Sequence, residues 1–173
     1  MPDLTLIPSG TGVFVDTNIF CFHFQGRSAS CTVFMERIAR DEVTAYVNTE
    51  VLSDLLHKMM LAEAVVRGII NKPRAVDLKT RIQADRSVVA RLSEHQRQFE
   101  ATLNIGLKVL PISKHLLVDT KTERADHGLL TNDSLHLGCM NRHRVRVKNI
   151  ATYDDDFSNI ADVTIWRPSD VVV

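Results

Sequence analysis

Residues 12–18 read GVFVDTN: a short apolar run, then an aspartate and two small polar residues. Gly12 to Val15 (GVFV) predicts a buried strand, and the polar DTN that follows predicts a turn at its carboxyl end. Outward from this stretch the pattern repeats. Ser28 to Arg40 predicts a helix with Val33, Phe34, Ile38 and Ala39 on one side, and Thr44 to Val47 (TAYV) a second strand. Asn48 suits an N-cap. After it, Val51, Leu52, Leu55, Leu56, Met59 and Met60 fall at helical spacing. Lys72 to Asn104 is charged with sparse apolar positions and predicts two helices, the second starting near Asp85–Ser87, with Pro73 suited to the first turn of the first. Lys108 to Ile112 (KVLPI) predicts a third strand ending near Pro111. Ser113 caps a further helix, and Asn132 caps the next, which carries Leu135, Leu137 and Met140. Asn149 to Thr152 and Val163 to Trp166 predict strands four and five. Strands alternating with helices predict an α/β fold with a mainly parallel five-stranded sheet covered on both faces.

The 173 residues are enough for one well-filled domain, taken as 1–173. No apolar run reaches the roughly 20 residues that span a bilayer, and MPDLTLIPSG lacks the features of a secretory signal, so no membrane partner and a cytoplasmic location are expected. Cys21, Cys31 and Cys139 are an odd set without CxxC spacing and read as buried thiols rather than a disulfide or zinc framework. The 21 basic and 21 acidic residues cancel, which excludes a simple basic coat for nucleic acid.

Four acids stand out by position. Asp16 follows the first strand, Asp54 lies on the helix after the second, Asp133 follows Asn132, and Asp154 follows the fourth strand beside Asp155 and Asp156. Each alone has a bland reading: a helix cap, a solvated helix charge, a partner for a helix dipole, an Asx turn. Together, Asp16 and Asp154 fall at the carboxyl ends of parallel strands, where open α/β sheets bind ligands. Packed carboxylates repel unless a cation sits among them, and hard oxygen donors favour Mg2+ or Mn2+.

The stretches VFVDTNIF, EVLSDLLHK, GLLTNDSLHLGCM, IATYDDDF and the closing VTIWRP resemble the PIN-domain nucleases, particularly VapC-like toxin ribonucleases of toxin–antitoxin systems, from about Val13 to Pro168. The resemblance implies a three-layer α/β/α fold, a divalent metal and hydrolysis of RNA phosphodiester bonds. It implies catalytic roles for Asp16, Asp54, Asp133 and Asp154, with Asp16, Asp133 and Asp154 on the metal. Thr17, Asn18 and Asp156 match auxiliary positions. The helix acid is more often Glu in this family, and Glu50 stands one turn before Asp54. The resemblance further implies an RNA substrate, a possible cognate antitoxin and a homodimer. It assigns no role to the lead, Met1 to Gly10.

The basic run Asn141 to Asn149, with Arg142, Arg144, Arg146 and Lys148, precedes the fourth strand and is expected at the sheet edge away from the acids. Arg81, Arg86 and Arg91 on the middle helices are better placed for phosphate. His57 and His136 read as bystanders. Two rivals remain: a non-catalytic PIN-fold module that binds RNA or protein, and a phosphatase with Asp16 as nucleophile, for which Asn18 stands where a second Asp is wanted.

Overall fold

The computed structural model describes residues 1–142 and 146–172. Strands β1 (Gly12–Val15), β2 (Thr44–Asn48), β3 (Lys108–Leu110), β4 (Asn149–Ala151) and β5 (Thr164–Trp166) form one sheet in the order β3-β2-β1-β4-β5, every pairing parallel. Val13, Phe14 and Val15 are wholly buried, as befits a central strand covered on both faces. The register sets Phe14 beside Tyr46 and Ile150, and Val15 beside Ala151. Helices α1 (Thr17–Phe24) and α2 (Ala29–Ala39) cross from β1 to β2. Helices α7 (Lys114–Asp119), α8 (Lys121–His127) and α9 (Thr131–Arg142) cross back from β3 to β4. Right-handed crossovers in opposite directions place these two sets on opposite faces, the α/β/α arrangement. The chain thus leaves β1 toward β2 on one side and returns to β4 on the other, which opens a crevice at the carboxyl ends of β1 and β4.

The chain divides into two compact units, residues 1–52 with 105–173, and Ser53–Asn104. The sheet belongs to the first. Helix α3 (Thr49–Val66) begins there, where the Asn48 side chain accepts from the Val51 N–H at 2.9 Å, the cap its sequence promises. Ser28 and Ser113 cap α2 and α7 in the same way. The Asn132 expectation is corrected: α9 starts at Thr131, the Leu130 carbonyl takes its first helical bond from Ser134, and Asn132 lies inside the first turn. At Gly138 of α9 a Cβ would stand 2.6 Å from Thr120 Cγ2, so only glycine lets α9 lie this close to the α7–α8 corner.

The lead segment is part of this unit's core. Leu4 and Ile7 are buried, and the Arg37 guanidinium donates to the Thr5 and Ile7 carbonyls at 3.2 and 2.6 Å. The Asp3 carboxylate accepts from the Ser169 N–H and hydroxyl at 2.9 and 2.6 Å, and Asp170 accepts from the Ser28 hydroxyl and the Ser30 N–H at 2.6 and 3.0 Å. The far end of the chain therefore satisfies the first turn of α2. Cys31 and Cys139 are buried thiols as expected, whereas Cys21 is partly exposed because it lies on the less covered side of α1. In the basic run, Arg144 and the side chain of Arg142 lie outside the described residues. Arg146 and Lys148 are exposed and precede β4.

The second unit holds the rest of α3, then α4 (Ala75–Ala84), α5 (Ser87–Ala90) and α6 (Glu94–Leu103). Its core is Leu61, Ala64, Ile70, Leu78, Val88 and Leu92. Two helices were expected over 72–104, and the structure has three. Arg91 to Ser93 interrupt the second half, and Leu92 turns inward to seal the core. Pro73 precedes α4 rather than opening it, since Arg74 occupies the N-cap position. Glu63 organises the unit. Its carboxylate accepts from the N–H groups of Ser93, Glu94 and His95 at 3.1, 3.1 and 2.9 Å, and meets His95 Nδ1 at 2.7 Å and Arg67 Nε at 2.6 Å. One buried acid thus serves the orphan donors at the start of α6.

Candidate active site

Asp16 occupies the N-cap position of α1, yet its carboxylate makes no capping bond to that helix. It accepts instead from the Thr152 hydroxyl at 2.7 Å and the Asn18 amide at 2.6 Å. The same Asn18 nitrogen reaches Thr152 Oγ1 and the Asp154 carboxylate, both at 3.2 Å, while Asn18 Oδ1 accepts from the Tyr153 N–H at 3.1 Å. Thr152 Oγ1 in turn accepts from the Asp154 N–H at 3.1 Å. Two loops, one leaving β1 and one leaving β4, are thereby tied into a single net across the crevice. Asp16 is nine-tenths buried and Thr152 wholly so, which makes these bonds expensive to lose.

Asp133 faces this net from the first turn of α9. Partial burial, and then the charges of Asp156, Asp16 and Asp154, push its carboxyl up to about 6. A helix N-terminus by itself favours a carboxylate, so burial and, after it, the neighbouring acids override it. Asp155 is different: it pairs with Arg167 at 2.7 Å, and Arg167 lies over the Tyr153 ring at 5.2 Å. Of the three consecutive aspartates, Asp154 and Asp156 are the two whose charges bear on Asp133. Thr17 is buried at the start of α1. His136 is buried against Phe14, bonded to Asn48 at 3.1 Å and 3.6 Å from Glu50. Asp54 belongs to the second unit, where it pairs with Lys58 at 2.8 Å, and His57 is exposed.

Thr152 had no functional role in the sequence reading. A threonine between a buried strand end and an acid run was its only signal, because its partner Asp16 is 136 residues away. Among the described residues no three His, Cys, Asp or Glu side chains already close round an ion. The donor set nevertheless fits a hard divalent cation. It is all oxygen, and the mutual repulsion that raises Asp133 is what a cation relieves.

This electrostatics gives an expected pH dependence. A cation held by Asp133 would have to displace its proton, so Mn2+ affinity measured by calorimetry should fall about tenfold per pH unit below about 6 and level off above it. In chelator the sign reverses. The folded pKa is raised from 3.8, so the contribution of Asp133 to stability is full below about 3.8 and is lost as pH rises through about 6. The gap in melting temperature between wild type and Asp133→Asn should therefore shift in favour of the variant over that interval. A gap independent of pH would remove the acid cluster as its cause.

No curated protein matches the chain. Two solved structures share its fold. The crystal structure of VapBC2 from Rickettsia felis bound to a DNA fragment from its promoter aligns with a TM-score of 0.57 at 15% identity, over 92% of this chain and 100% of that one. A toxin–antitoxin complex from Klebsiella pneumoniae aligns with a TM-score of 0.51 at 15% identity, over 88% and 95%. No helix among the described residues is long and apolar enough to cross a membrane. The sequence profile of the PIN domain matches residues 13–163, a span that holds β1, the crevice and all four candidate aspartates, and the chain belongs to the PIN domain family.

Proposed function

We propose that this protein is a metal-dependent ribonuclease that hydrolyses RNA phosphodiester bonds in the cytoplasm, as the toxin of a type II toxin–antitoxin pair. The observation that carries the reading is the net joining Asp16, Asn18, Thr152 and Asp154, with the raised carboxyl of Asp133 beside it. The Asp16 carboxylate makes no capping bond to α1, so the helix-cap reading does not account for it. Family membership supports nuclease chemistry, and both solved relatives are toxin–antitoxin complexes, which supports an antitoxin as partner. A homodimer and a single PIN-like domain over 1–173 belong to the same reading, since the family match runs through both compact units.

Asp16, Asp133 and Asp154 would hold Mg2+ or Mn2+, with Asp156 adding charge. Such an ion supplies positive charge for the phosphoryl oxygens and acidity that makes water a nucleophile at neutral pH. The chain's own part is preorganisation. Asn18 donates to two like-charged carboxylates at once, and Thr152 fixes the Asp16 carboxylate against the end of β4. Thr17 is buried at the start of α1. Purified protein should cut single-stranded or loop RNA in Mg2+ or Mn2+, with duplex spared because its phosphates and bases are less accessible to a cleft. Undiminished cutting in excess chelator would defeat the metal assignment. Metal binding with no cleavage of any RNA would favour a silent binding module, and a phosphorylated Asp16 would favour a phosphatase.

Asp54 is assigned the helix-acid role and Glu50 an assisting one. Asp54→Asn should lower cleavage about tenfold or more beyond Glu50→Gln, because Glu50 lies 3.6 Å from the buried His136. Single-turnover rates decide it: equal or reversed losses would move the role to Glu50.

A further inference from the structure

The zero net charge conceals a division. Ser53–Asn104 carries nine Lys and Arg against six Asp and Glu, while the other unit carries twelve against fifteen. Three of these nine cations, Lys72, Arg74 and Arg81, line one concavity. Residues 70–74 and α4 enclose a cavity of about 430 Å³ lined by Ile70, Asn71, Lys72, Arg74, Asp77, Thr80 and Arg81. Asp77 is its one acid, and both of its oxygens are taken by Arg74, at 2.8 and 2.9 Å. Arg81 stands one turn beyond Asp77 on α4, where an i,i+4 pair is available, but that acid is already engaged. Lys72 and Arg81 therefore have no ionic or hydrogen-bonding partner among the described residues, and they are exposed. Arg74 at the N-cap of the ten-residue α4 makes no side-chain cap, so the positive end of that helix adds to the same field.

We propose that this cavity binds one phosphodiester of a single-stranded RNA, with Lys72 and Arg81 on the phosphate oxygens and Asn71 and Thr80 as neutral donors. The proposal rests on the ribonuclease reading for its ligand class. Its own argument is local. Two unpaired cations flank a space within the size range of small-ligand sites. Ile70, a core residue, adds only an apolar edge to the lining. Arg74, locked in its fork with Asp77, stiffens the wall rather than reaching outward.

The test uses the full chain carrying Asp16→Asn, so that RNA is bound and not cut, and a fluorescein-labelled single-stranded RNA followed by anisotropy from 50 to 200 mM salt. Lys72→Ala with Arg81→Ala should weaken binding about tenfold and flatten the log–log salt slope by about 0.7, the counterion release that goes with one phosphate on a single strand. Lys79→Ala with Arg97→Ala removes the same charge from the same unit outside the cavity, and should change affinity less than about twofold. Equal losses in the two double variants would overturn the cavity in favour of a diffuse field. Unchanged affinity in the cavity variant, while wild type still cuts RNA with metal, would overturn the cavity and leave the nuclease reading standing. If wild type neither binds nor cuts RNA, both fall. Melting curves accompany each variant, and any cavity variant that melts early is replaced by Lys72→Gln with Arg81→Gln.

Discussion

Asp16→Asn is expected to leave a folded protein with RNA cleavage reduced about a thousandfold. A bound ion supplies several kcal/mol of charge stabilisation in phosphoryl chemistry, and about 4 kcal/mol corresponds to that factor. The same substitution should separate two stabilities. Without metal, Asp16, Asp154, Asp156 and Asp133 repel, and these charges add to burial in raising the Asp133 carboxyl. Removing one charge relieves that repulsion, while the asparagine oxygen still accepts from Thr152 and Asn18. Melting in chelator should therefore match wild type or run slightly higher. Added Mn2+ should raise wild type alone, by roughly 2.7 kcal/mol at a hundredfold excess over its dissociation constant. Strong destabilisation of the metal-free variant would make Asp16 a structural residue of the crevice. An equal gain from metal in both proteins would remove it from the ligand set.

The second large effect belongs to the helical unit. Glu63→Ala should unfold α6 from α3, because it strands three N–H groups, Arg67 and His95 together. Burial would raise this acid, but the backbone and ring of His95, the Glu94 N–H and Arg67 outweigh it and hold the carboxyl at about 2. The folded pKa lies below the ordinary 4.5, so its stabilisation is complete above about 4.5 and disappears as pH falls toward 2. A depression of that size corresponds to about 3 kcal/mol. Hydrogen exchange of the α6 amides should show that loss at pH 7, and fluorescence-detected unfolding should show the gap between wild type and variant closing toward pH 3. A gap that persists at low pH would mean that packing rather than the carboxylate charge holds α6.

The sheet was legible because parallel strands are buried on both faces and announce themselves as short apolar runs, GVFV and TAYV above all. The three acids that meet at the crevice were legible for a related reason: each follows such a run or opens a helix after one. What escaped detection lacked a local signature. Helix α1, TNIFCFHF, buries Thr17, Ile19, Phe20 and Phe22, so it is apolar nearly all round and shows no stripe. Helix α8, KTERADH, has no apolar side chain beyond its alanine and is defined by packing on α9. The lead segment acquires its place from Arg37, Arg167 and Ser169, and Thr152 from Asp16. Those partners are distant along the chain, and no window of sequence contains both members of a pair.

The strand order also sets a timetable for synthesis. A ribosome delivers β1 and β2 within the first 48 residues, and with them Asp16. The other side of the crevice waits. Thr152, the partner of Asp16 across 136 positions, emerges long after β1 with Asp154 and Asp156 behind it, and the clasp of Asp170 on α2 comes later still. A domain folds as its last necessary segment appears, and here that segment holds the partners of Asp16. A polypeptide whose proposed work is cutting RNA is thus without its assembled acids while those residues are still to be made, on a machine built of RNA.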